Sequence, residues 1–180
     1  HAGLDQRKVH MLARELSHSY KREFVGAHHH LLPGLQVAHP ASGSQHPASK
    51  EEEVLEKKMS KSIPGSAIFI HDSEEEIRSK IKKAHCPEKV AEGNPIVEYA
   101  EYLVLRDKGM KIERPAKFGG DMEVADAAEL RRIYSEGKLH PMDLKNAVAR
   151  ELIEMLRPSR EYFEKNRHYL EQISRKDITR

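Results

Sequence analysis

The chain has 180 residues, enough for one substantial domain or two small ones. Apolar residues make up 38% and aromatic residues 6%, with no Trp, so any core is aliphatic and modest. A third of the residues are charged, yet the net charge is only +2, a balance that does not by itself indicate a nucleic-acid partner. The single cysteine, Cys86, excludes an intrachain disulfide framework and fits a reducing, cytoplasmic setting. No apolar run approaches the roughly 20 residues that span a bilayer, and no signal peptide opens the chain, so no membrane association is expected. Helical periodicity begins almost at once, without an initiator Met, as in a chain entered midway.

Val9, Leu12, Ala13 and Leu16 recur at helical spacing, which predicts a helix over about 6–17 with Asp5 as its N-cap. A short buried strand is expected from Phe24 to about His28, ending in the Pro33-Gly34 loop. Residues 36–53 have no period, and their Pro, Ser and Ala content with a terminal acidic run reads as a flexible insertion. An apolar strand follows at Ala67–Ile70. Ser73 and Glu76 form a capping box for a helix reaching about Ala84. Asn94-Pro95 opens another helix with Val97, Ala100 and Val104 on one side.

Beyond Gly109 the texture changes. Strand candidates at Lys111–Arg114 and Asp121–Val124 flank "PAKFGG", and a helix from about Ala127 ends before Gly137. "HPMDLKNAVARELIEMLRP" predicts a strong helix with Leu144, Val148, Leu152 and Met155 on one stripe, stopped by Pro158. A last amphipathic helix uses Tyr162, Tyr169 and Ile173. Helix, strand and loop alternate up to about residue 90, and a mainly helical region follows.

Between the insertion and the second strand candidate lies K-M-S-K-S, residues 58–62. Lysines and hydroxyls on a loop suit a pyrophosphate leaving group, whose developing charge is best met by cations engaging it in the transition state. A bare match of this kind is common, and a solvated basic turn is the simpler explanation when it stands alone. His28, His29 and His30 invite a zinc reading. Successive strand residues face opposite sides, however, and no further ligand set accompanies them, so no structural metal is expected.

Six ordered blocks decide the context: "LDQRKVHMLAREL", "KMSKS", "EEEIRSKIKKAHCP", "EGNPIVEYAEYLV", "RPAKFGGDMEV" and "LHPMDLKNAVARELIEMLRP". In order and spacing they resemble the archaeal/eukaryotic tyrosyl-tRNA synthetases, class I aminoacyl-tRNA synthetases, over nearly all the chain except the insertion. The resemblance implies the second half of a Rossmann-type nucleotide-binding catalytic fold at 1–105, followed by a mainly helical anticodon-binding domain at 106–180. It implies a tyrosine–tRNA ligase that makes tyrosyl-adenylate from tyrosine and ATP, with Mg²⁺ accompanying ATP, and transfers the tyrosyl group to tRNA(Tyr). The full-length enzyme is expected to be a homodimer.

By the same resemblance Lys58 and Lys61 are catalytic, Lys58, Ser60, Lys61, Leu31 and Leu32 contact ATP, and Gln6 holds the tyrosine amino group. A Gln side-chain carbonyl suits that role, since it accepts from an ammonium. Arg7 and Lys8 approach the tRNA acceptor end. Phe118, His140, Pro141, Met142 and Asp143 lie at the anticodon, an aromatic platform beside a carboxylate suited to a guanine edge. The family's HIGH-type motif does not occur, which implies the C-terminal half of the enzyme and an isolated chain without activity. Two alternatives stay open: a non-catalytic tRNA- or RNA-binding module with a vestigial loop, and a tryptophan–tRNA ligase.

Overall fold

Two short parallel strands open the molecule, and their pairing fixes where Gln6, Arg7 and Lys8 leave the sheet. The computed structural model describes residues 1–36, 59 and 65–176; residues 37–53 of the expected insertion, and Lys58, Ser60, Lys61 and Ser62 of the K-M-S-K-S stretch, lie outside them. Strand β1 (Ala2–Gly3) pairs in parallel with β2 (His28–His29), Ala2 opposite His28 and Gly3 opposite His29. Between them a 3₁₀ turn (Leu4–Gln6) leads into helix α1 (Arg7–Ser19). Gln6, not Asp5, stands at the N-cap of α1, and it makes no side-chain capping bond.

Helix α1 forms where its periodicity predicts, but Val9, Leu12 and Leu16 on its apolar stripe are exposed. The strand expected from Phe24 is shorter and later than its composition suggested. Only His28 and His29 pair, and the backbone before them gives one carbonyl, Ala27, to the N–H of Ala2. Phe24 and Val25 are exposed, and a strand needs a partner ladder as well as β-prone residues.

The strand expected at Ala67–Ile70 is absent as well. Asp72 closes that segment into a turn: its carboxylate accepts from Phe69 N–H at 2.8 Å while its own N–H donates to Phe69 O at 3.1 Å. A short acidic side chain thus satisfies backbone groups that a ladder would otherwise use. Helix α2 (Glu74–Lys83) then starts on the predicted capping box, with Ser73 Oγ accepting from Glu76 N–H and Glu76 accepting from Ser73 N–H.

Helix α3 (Pro95–Tyr99) begins at Asn94, whose side chain accepts from Ile96 and Val97, and continues as a π-helical turn over Ala100–Val104. Strands β3 (Met110–Ile112) and β4 (Met122–Val124) pair antiparallel, Met110 opposite Val124 and Ile112 opposite Met122. Alternation buries Met110 and Ile112 and leaves Lys111 outside. Helix α4 (Ala127–Ser135) is capped by Asp126, which accepts from Glu129 N–H, and ends before Gly137 at a φ of 73°.

Helix α5 (Pro141–Lys165) is longer than predicted because Pro158 sits inside it rather than ending it. A proline there removes one i→i−4 donor. Close by, buried Arg160 turns back to donate to Ile153 O at 3.3 Å and to Glu74 at 3.1 Å. The buried stripe runs Leu144, Val148 and Leu152, with the partly buried Leu156 after them; Met155 is exposed. Helix α6 (Arg167–Lys176) follows, and Tyr162 and Tyr169, expected on an apolar face, are about half exposed.

One buried cluster extends from Leu35 through Ile77, Ile81, Ile96 and Tyr99 to Leu130, Leu144, Val148 and Ile153. Each large aliphatic side chain in it contributes about 1.5–3 kcal/mol of burial. Lys145 crosses from α5 to the end of α2 and donates to Lys82 O at 3.0 Å and Ala84 O at 2.7 Å. Its buried ammonium satisfies carbonyls that the helix leaves unpaired and complements the negative end of the dipole.

Candidate functional site

Parallel pairing sends the chain out of β1 and β2 at the same end. In open α/β sheets, ligands bind outside that carboxyl end. Gln6 leaves β1 there through the 3₁₀ turn and is exposed, with Arg7 and Lys8 exposed in the first turn of α1. Leu31 and Leu32 leave β2 at the same end, both half-buried. Gly3 lets the two exits close on each other: a Cβ there would collide with the Leu31 side chain and stand 2.7 Å from Asp5 Oδ1.

The K-M-S-K-S stretch is tied to this end through Met59, whose N–H donates to Leu32 O at 3.2 Å. Leu31 and Leu32, expected at the nucleotide, thus stand at one sheet end with Met59 of the motif bonded to Leu32, and Gln6, expected at the tyrosine, is at the neighbouring exit. Lys58, Ser60 and Lys61 fall outside the described residues. Downstream, Leu35 N–H donates to Ser66 O at 2.9 Å, and Leu35 O accepts from His85 N–H at 2.8 Å.

The intervening Pro33 carbonyl takes the hydroxyl of Tyr99 at 3.1 Å. Tyr99 is 1% exposed, and burial pushes its phenol far above the ordinary range, so it stays a proton donor. His30 Nε2 lies 2.8 Å from Glu98 Oε2, and its ring stacks on Tyr102 with centroids 4.1 Å apart. The three neighbouring histidines face different partners. His28 Nε2 bonds to His10 Nδ1 at 3.0 Å, and His29 Nδ1 bonds to the His30 carbonyl. Partial desolvation, then the charges of His10 and Arg7, hold the His28 imidazole below its usual range. No group of three or more metal-ligating side chains converges among the described residues.

A second constellation lies in the helical region. Phe118 ends a 3₁₀ turn (Ala116–Phe118), and Gly119 and Gly120 follow at φ of 97° and 71°, conformations that favour glycine. As expected from that pair, the turn is tight and the Phe118 ring is 59% exposed, with Lys117 Nζ 4.9 Å from its centroid. His140 caps α5, its Nδ1 accepting from Met142 N–H at 3.1 Å, which places any ring proton on Nε2. Pro141 takes the first helical position, and the half-buried Asp143 carboxylate has no hydrogen bond or ion pair among the described residues.

Arg114 joins the two parts. Its guanidinium donates to Gly120 O at 2.9 Å and to Lys138 O at 3.0 Å, while its backbone N–H donates to Asp121 at 3.1 Å. Sequence reasoning did not single out Arg114, Glu98 or Tyr99. Each acts on a residue distant in sequence, and no local pattern marks such a contact.

The family described as tRNA synthetases class I (W and Y) matches residues 1–157. The chain belongs to the class I tRNA synthetases of this tryptophan-and-tyrosine family. The tyrosine–tRNA ligase of Thermococcus gammatolerans is 47% identical over 192 residues, a match to 100% of this chain and 51% of that protein. The crystal structure of tyrosyl-tRNA synthetase complexed with L-tyrosine from Pyrococcus horikoshii aligns at a TM-score of 0.81 and 45% identity, covering 95% of this chain and 49% of that one. The corresponding Archaeoglobus fulgidus structure gives 0.74 and 40%, covering 89% and 44%. The likeness is thus to the archaeal tyrosyl type of synthetase, with its class I fold. The chain spans about half the length of the curated relatives it matches, and that share does not establish the C-terminal half expected from the motif order.

Proposed function

We propose that this chain is part of a tyrosine–tRNA ligase of the archaeal type, the part that carries the K-M-S-K-S loop and the anticodon-reading helices. The observation that carries the reading is 47% identity to a tyrosine–tRNA ligase along the whole chain. The meeting of Leu31, Leu32 and Met59 at the carboxyl end of the β1–β2 pair supports it. Tyrosine is preferred to tryptophan because the named relatives at 45–47% identity are tyrosine ligases. A purely RNA-binding module is disfavoured by the intact K-M-S-K-S sequence.

In this reading residues 1–105 belong to the catalytic domain and 106–180 to the anticodon-binding domain. ATP lies over Leu31 and Leu32, and Gln6 accepts from the tyrosine ammonium. Lys58 and Lys61, with Ser60, meet the pyrophosphate as the α-phosphorus–oxygen bond breaks, where charge develops that the ground state lacks. Arg7 and Lys8 bind the acceptor-end backbone as positioning contacts. Phe118 stacks on an anticodon base, and Asp143, at the opening turn with His140, Pro141 and Met142, accepts from a guanine edge. Mg²⁺ accompanies ATP; the described residues offer no cage for it, so no step is assigned to it. The working enzyme is a cytoplasmic homodimer; no helix among the described residues is long and apolar enough to cross a membrane.

The test is amino-acid-dependent exchange of pyrophosphate into ATP, measured for the family-length protein and for the isolated chain. Tyrosine should drive exchange by the family-length protein and tryptophan should not. The isolated chain, which has no HIGH-type motif, should be inactive. Tryptophan-driven exchange, or none with any amino acid, would overturn the reading.

A further inference from the structure

The turn that carries Phe118 keeps its shape without help from its two exposed side chains. Phe118 N–H donates to Pro115 O at 2.9 Å, Gly119 N–H to Ala116 O at 3.0 Å and Gly120 N–H to Pro115 O at 3.3 Å. Arg114 ties the Gly120 carbonyl from outside at 2.9 Å. The Phe118 ring and the Lys117 side chain therefore stand on a fixed backbone while both face solvent. A Cβ on Gly120 would meet nothing within 4 Å, so the surface beside them is open.

Charge pairing singles out Lys117. The cations around it are engaged: Lys111 with Asp121 at 2.9 Å, Arg114 with the carbonyls of Gly120 and Lys138, and Lys138 with Glu136 at 2.7 Å. Lys117 has no carboxylate partner among the described residues, and its ammonium rests over the Phe118 ring, 4.9 Å from the centroid. A cation–π contact at an exposed site is weak. It is readily exchanged for a phosphate, which a lysine meets as a point charge on a flexible stem. An aromatic face and an ammonium on successive residues match a nucleotide of a single strand, whose base stacks while its backbone takes the charge.

We infer that Lys117 binds a backbone phosphate of the anticodon loop, next to the base that stacks on Phe118. This assignment rests on the anticodon reading of Phe118 given above. Lys117 reads no base. It holds the strand in register, so that the ring and the Asp143 carboxylate meet the bases they act on.

The experiment measures the dissociation constant of the family-length protein for tRNA(Tyr), and for a tRNA with the anticodon base changed, over a range of salt concentrations. Lys117→Gln should weaken binding of both tRNAs by the same factor. It should also make the fall of log affinity with log salt shallower by about 0.7, the value of one phosphate on a single strand. Lys117→Arg keeps the charge and should keep the slope. Phe118→Ala should weaken binding at an unchanged slope, because stacking releases no counterion. Affinity lost at an unchanged slope in Lys117→Gln would make the lysine a prop for the ring and overturn the inference. So would wild-type affinity and slope in that variant. If Phe118→Ala bound both tRNAs as tightly as wild type, the anticodon reading of this turn would fall, and the inference with it.

Discussion

The guanidinium of Arg114 donates to the carbonyl of Lys138 at 3.0 Å, and this bond joins the Phe118 turn to the residues that start α5. The second donation, to Gly120 O at 2.9 Å, fixes the turn from its other side. Arg114→Ala should therefore lower tRNA charging while leaving tyrosine-dependent pyrophosphate exchange, which needs no tRNA, at the wild-type rate. The expected loss of stability is about 1.5–3 kcal/mol, that of hydrogen bonds from a charged group. Arg114→Lys should restore little, because an ammonium is a point charge and cannot supply the guanidinium fork. Full charging by the lysine variant would show that charge alone, not bridging, matters at this position.

Asp143 and Phe118 should fail in different ways. A carboxylate accepting from N1–H and the exocyclic amino group of guanine loses both donors when another base takes that place, a cost of about 1–3 kcal/mol. Asp143→Ala should lower charging of the normal tRNA and flatten its preference over a base-changed tRNA. Phe118→Ala should weaken charging of both tRNAs more evenly, since stacking carries little base identity. Charging rates for each protein on each tRNA decide it. Full discrimination by Asp143→Ala would leave Asp143 as a first-turn carboxylate that complements the helix dipole.

The capping box of α2 gives a pH-dependent prediction. The Ser73 backbone N–H first, and then its hydroxyl, hold the Glu76 carboxyl below its ordinary value of 4.5. A carboxylate favoured by the fold adds stability above that value, and the contribution disappears as pH falls through the lowered folded value. Melting temperatures measured downward from pH 5 should fall less steeply for Glu76→Gln than for wild type. Ser73→Ala should cost about 1 kcal/mol at neutral pH, the usual value of a lost N-cap. Superimposable acid limbs for Glu76→Gln and wild type would contradict the assignment.

Features governed by local chemistry were legible in the sequence. Ser73 with Glu76, Asn94 with Pro95, and the glycine pair after Phe118 all carry their stereochemical reason within four residues, and each forms as predicted. Features that depend on distant partners were not. Phe24–Ala27 has strand-like composition, but only His28 and His29 find a ladder, and Ala67–Ile70 is closed by Asp72 instead of pairing. Pro158 reads as a stop, yet α5 runs through it to Lys165. At the candidate site, Leu31, Leu32, Phe118 and Asp143 stood out through their motifs. Tyr99, Glu98 and Arg114 did not, since each matters for a backbone or side chain far along the chain.

The central claim is that this chain supplies the lysines which stabilise departing pyrophosphate in a tyrosine ligase. Its most direct test is tyrosine-dependent pyrophosphate exchange by the family-length protein with and without Lys61→Ala. Removing one transition-state donor should reduce kcat by about 10²–10³, or about 3–4 kcal/mol, and leave the tyrosine KM close to unchanged. Lys58→Ala should act in the same direction with a smaller loss. A Lys61→Ala enzyme with a raised KM for ATP and an intact kcat would make the lysine a ground-state binder and contradict the account.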